Sequence, residues 1–78
     1  MLYRIFLYFG RGTKNFHSLT VEAKSLNGVK RIASAARRIF PNELSYIKCE
    51  DMEGNVLAVC SKQTAKGCHT KRWHWETF

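Results

Sequence analysis

Four side chains in the second half of the chain, Cys60, Cys68, His69 and His74, carry the sulfur and imidazole donors that zinc takes. They contain no C-x2-C pair, and strand alternation would separate Cys60 from the segment holding Cys68. The expectation is therefore no metal, with Cys60 a small core residue and Cys68 an exposed thiol. For acid–base or nucleophilic work, the pairs near one another in sequence are His17 with Glu22 and Cys68 with His69. Neither makes a recognisable constellation, so no enzyme activity and no cofactor are expected. Binding chemistry is better represented. Lys30, Arg31, Arg37 and Arg38 crowd one short stretch, with no acidic residue between Glu22 and Glu43. Arg11, Lys14, Lys71 and Arg72 could add contacts to phosphates, and Trp73 and Trp75 could either stack on bases or close the core.

The cationic stretch sits on the clearest periodic segment. Leu26, Val29, Ile32, Ala33, Ala36, Ile39 and Phe40 recur at the spacing of one helical face. Ser25 can cap the start, Pro41 cannot continue the helix, and Ala33, Ala35 and Ala36 suit its interior. At 100° per residue, Lys30, Arg31, Ser34, Arg37 and Arg38 fall away from the apolar stripe and form an unpaired basic face.

The remaining segments read as strands. Residues 2–9 alternate with both faces largely apolar, which suits a central strand. Gly10, Gly12 and Asn15 mark a turn, and residues 16–23 resume alternation with His17, Leu19, Val21 and Ala23 toward the helix. Residues 44–50 and 56–61 form a hairpin across DMEGN, where Gly54 and Asn55 tolerate positive φ. Residues 62–70 have loop composition. The last segment, 71–78, places Trp73, Trp75 and Thr77 on one side; Trp75 and Phe78 could serve a dimer or close the core. The order is ββαβββ: an α+β domain spanning residues 1–78, with a five-stranded antiparallel sheet and one helix on one face.

Composition narrows the function classes. A chain of 78 residues makes one small domain with modest stability. Its net charge of +7 is uneven, since residues 1–40 carry eight Lys or Arg against Glu22 alone. That field favours polyanionic partners and excludes a mimic of DNA built from carboxylates. LYRIFLYF is interrupted by Arg4, lacks a cleavage site and is too short to span a bilayer. An odd cysteine count offers no disulfide framework, so reduced thiols in a cytosolic setting and no membrane partner are expected.

VEAKSL, VKRIAS, Phe40, NVLAV and KRW at 71–73 together resemble the small anti-CRISPR proteins of phages and mobile elements, most closely the ninth of the type I-F inhibitors. The similarity runs from about Thr20 onward and is strongest at residues 22–34. It implies an antiparallel sheet with one helix, no catalysis, and a bacterial host cytosol. It further implies docking on the backbone subunits of the guide-RNA surveillance complex, where target DNA is kept from pairing with guide RNA, and non-specific DNA association by the inhibited complex. Lys30 and Arg31 match the family block and become interface candidates, with Arg37, Arg38 and Ser34 beside them. The chain departs from the family at Ala35, where a lysine would stand, and in a longer loop at 61–70 that brings in Lys62. A monomer is expected. The competing reading is a stand-alone basic DNA- or RNA-binding module.

Overall fold

Alternation in the first segment becomes β1 (Leu2–Phe9), a strand with a neighbour on each side. The computed structural model describes residues 1–10, 14–64 and 71–78, except the side chains of Gln63, Thr64 and Lys71. Arg11, Cys68 and His69, and the side chain of Lys71, lie outside the described residues. After β1 come β2 (Phe16–Glu22), α1 (Leu26–Ile39), β3 (Leu44–Asp51), β4 (Val56–Thr64) and β5 (Lys71–Thr77). The strands form one antiparallel sheet in the order β2-β1-β3-β4-β5. The ββαβββ order and the α+β class follow the sequence reading.

Because α1 leaves the β2 edge and returns the chain to β3, it has to cross β1. It therefore packs over β1 and β3, and Val29, Ala33 and Ala36 are buried there. Ile5 stands opposite Cys49 and Leu7 opposite Ile47, while Cys49 and Ile47 stand opposite Ala58 and Cys60. These side chains share the helix-facing side and make the core. Burying Ile5, Leu44, Ile47 and Val29 supplies about 1.5–3 kcal/mol per side chain relative to exposure.

Local signals set the ends of the helix. Ser25 has extended backbone, and its hydroxyl accepts from the Gly28 N–H at 3.4 Å. At the other end the Phe40 N–H donates to the Ala36 carbonyl at 2.9 Å, just before Pro41. Arg37 and Arg38 occupy the last turn, where cations complement the exposed carbonyls.

The structure changes three details of the sequence reading. β4 continues to Thr64 instead of ending at Ser61, because β5 keeps pairing with it: Lys62 faces Trp73, and Thr64 faces Lys71. Backbone pairing extends a strand past the point where apolar alternation stops. In the β3–β4 turn, Gly54 alone takes positive φ, at 90°, whereas Asn55 holds the turn by bonding the Asp51 carboxylate. Finally, the apolar stripe of α1 is wider than the surface it covers: Ile32 is 42% exposed and Ile39 68%. Both lie toward β2, the edge strand of the sheet among the described residues.

Candidate functional site

The polar side of α1 and the end of β5 enclose an open groove of about 520 Å³. Lys30, Arg31, Ser34, Arg37 and Arg38 line it together with Trp73, Ala35 and Pro41. All five helix residues singled out from the sequence thus meet at one place. Their convergence follows from helical spacing, since positions 30, 34, 37 and 38 recur within two turns.

The cations are held in two ways. Lys30 donates to the Thr77 hydroxyl at 2.7 Å and stands 5.6 Å from the Trp75 ring centroid. Arg37 lies 5.9 Å from the Trp73 centroid, and Lys62 reaches the same ring at 5.3 Å while donating to the Pro41 carbonyl at 3.3 Å. Each of these cation–ring contacts, near the surface, contributes about 0.5–1 kcal/mol. Arg31 and Arg38 are exposed. Among the described residues, none of these five cations forms an ion pair; the pair present is Lys48–Glu50, on the other face of the sheet. The groove therefore has an anchored inner row and a free outer row of positive charge. Such an arrangement recognises phosphates or clustered carboxylates.

The tryptophans form the base of this arrangement. Trp75 faces Cys60 and Trp73 faces Lys62 on the helix side of the sheet, and both are partly buried against the core. They close the domain and at the same time orient the cations above them.

Other candidates lie elsewhere. Arg72 is opposite Gln63, on the sheet face away from α1, and Lys14 precedes β2 at the far edge. Neither reaches the groove. His17 and Glu22 point to opposite faces of β2, so they cannot act as a pair, and His17 packs edge-on against Phe9 at 6.0 Å. Cys60 is buried beneath α1, whereas His74 is exposed on the opposite face, so the two cannot share a metal ion. Among the described residues, no group of three His, Cys, Asp or Glu could hold one.

Burial raises the thiol of Cys60, and the Arg37 guanidinium beside it pulls that value partly back. Cys49, deeper under the helix, is pushed up to about 11 by burial, with the neighbouring Cys60 adding to the shift. Both thiols are free and protonated at neutral pH.

Sequence reasoning did not single out the outer sheet face. Phe6, Tyr8, Phe16 and Tyr46 make a chain of ring contacts with centroids 5.6–6.0 Å apart. Lys48 sits 4.7 Å from the Phe6 centroid. The signal was the presence of Phe6 and Tyr8 on the second face of β1, but only strand order brings Tyr46 beside Tyr8. Comparison with family models, curated proteins and solved structures finds no match to the chain.

Proposed function

We propose that the protein is an anti-CRISPR inhibitor. It binds the backbone subunits of a guide-RNA surveillance complex, of type I-F, and sterically blocks pairing of target DNA with the guide. The observation that carries this reading is the groove of cations on α1, to which Lys30, Arg31 and Ser34 come from the segment, residues 22–34, that most resembles the family. A nucleoprotein complex offers that groove both phosphates and carboxylates. Lys30 and Arg31 match the family block, and Arg37 and Arg38 extend the positive surface. The groove is shallow and built for contact; no reaction is assigned to it. Non-specific DNA association by the inhibited complex follows if part of the basic surface stays open after docking.

The alternative is a stand-alone DNA- or RNA-binding module, which the Trp73 ring in the groove wall favours. Salt separates the two readings. Neutralising six phosphates on duplex DNA gives a slope of log K against log salt of about −5. A protein-docking inhibitor binds its complex with a shallower slope and binds free duplex weakly.

The test is co-migration on a sizing column with guide-loaded type I-F complex at moderate salt. Lys30 also bonds Thr77 and covers Trp75, so its reversal disturbs packing as well as charge. Arg31→Glu/Arg38→Glu is the cleaner variant, because both side chains are exposed. Wild type should shift with the complex while this folded variant stays free; loss of a desolvated charged contact costs about 2–5 kcal/mol. Wild type that stays free of the complex, yet binds duplex DNA with the steep slope, overturns the inhibitor reading.

A further inference from the structure

The two edges of the sheet differ. β5 carries Arg72 and Glu76 within its run, and charges on an edge strand oppose pairing with another sheet. β2, FHSLTVE, has no Lys, Arg or Pro, and its single formal charge is the terminal Glu22. Among the described residues, no strand pairs with its outer side. An unpaired edge with no formal charge inside its run is open to strand addition.

Beside that edge lies an apolar groove of about 190 Å³ between α1 and β2. Leu19, Ile32, Ile39 and Phe40 line it, each more than a third exposed. α1 covers β1 and β3 and stops short of β2, so Leu19, Ile32 and Ile39 stay largely uncovered among the described residues, while Phe40 packs edge-on against Phe9 at 5.1 Å. The basic groove is on the other side of the helix, toward β5.

From these features we infer that β2 is the two-fold interface of a homodimer, in which two sheets join edge to edge. In antiparallel pairing, opposite residues share a face. The two helices, and with them the two apolar grooves, lie side by side only if paired residue numbers sum to an even value. Charge then selects the register. Centred on Leu19, the pairing sets Lys14 against the partner subunit's Lys24. Centred on Ser18, it sets Lys14 against the partner subunit's Glu22, and does so twice by symmetry. The second register is therefore the one adopted. It also places His17 opposite the partner subunit's Leu19, so the two apolar patches become one surface across the axis. Both basic grooves stay at the outer ends of the joined sheet, where their charges repel least. Such an interface is isologous and closes as a dimer.

The inference is independent of what the basic groove binds. Sedimentation velocity of the full chain from about 1 μM to about 500 μM spans the affinities expected of such a contact. Mass should rise with concentration from 9.1 kDa to twice that value. Ile39→Glu should weaken association by about tenfold or more, because it sets two carboxylates on the shared apolar surface. Lys14→Glu should weaken it by about threefold to tenfold, and Lys14→Glu/Glu22→Lys should restore it. All three positions are exposed, so circular dichroism should show an unchanged fold. A monomer at every concentration, a dimer indifferent to Ile39→Glu, or a charge swap that fails to restore association would overturn the proposal.

Discussion

At the scale of residues, hydrogen bonds and burial set the titration of a few groups. Asn55, through its side chain first and then its backbone N–H, holds the Asp51 carboxyl below its ordinary value of 3.8. A lowered carboxyl stabilises the turn above its unfolded value, and that contribution is lost as pH falls through the folded value. Asn55→Ala should therefore move Asp51 back toward the ordinary value, as followed by NMR titration. Tyr46 is raised above 10.0 chiefly by burial, and Lys48 above 10.5 chiefly by its bond to Glu50. Both favour the protonated form when folded. Their contribution is complete below about pH 10 and is lost as pH rises through the raised values. Melting temperature should fall in that alkaline range, and Glu50→Gln should lessen the Lys48 share of the fall. Cys49 and Cys60 are buried and protonated, so a thiol reagent at pH 7 should leave them unmodified in the native protein and label them in urea.

Among the elements, α1 divides its surface three ways. One side is buried on β1 and β3, one carries the cations, and one stays apolar and uncovered beside β2. Substitutions should follow that division. Ile47→Ala, beneath the helix at 0% exposure, should cost about 2–5 kcal/mol in urea unfolding. Ile39→Ala, on the uncovered side, should change monomer stability by no more than about 0.5 kcal/mol. Gly28 has a separate role at the first turn, where a Cβ would stand 3.3 Å from the Ala23 Cβ. The absence of that atom lets α1 start close against the end of β2.

Across the whole molecule, charge is segregated by face. On the outer sheet face Arg4, Lys48 and Arg72 are accompanied by Glu22, Glu50 and Glu76, whereas the groove gathers Lys30, Arg31, Arg37 and Arg38, with Lys62 beside it at Trp73 and no acid among the described residues that line it. The fold does not depend on that accumulation. Arg31→Glu/Arg38→Glu should change unfolding free energy by no more than about 1 kcal/mol, mainly through the loss of Arg38 at the helix C-terminus. If the same variant unfolded, the outer cations would have a structural role.

The sequence by itself determined the elements, their order and the basic face of the helix. Periodicity of two or 3.6, the Ser25 cap and the Pro41 stop are local, and each records which side of an element must be buried. Even the gathering of Lys30, Arg31, Ser34, Arg37 and Arg38 was legible, because it needs only helical geometry. Tertiary structure decided which strands are neighbours and where the helix lies laterally. Strand order set Trp73 and Trp75 beneath the cations and continued β4 to Thr64. It also left Ile32 and Ile39 uncovered, which periodicity had assigned to the buried stripe. These outcomes depend on hydrogen bonds and packing between segments distant in sequence. A local pattern shows that a face is apolar, but only the assembled sheet determines whether anything is there to cover it.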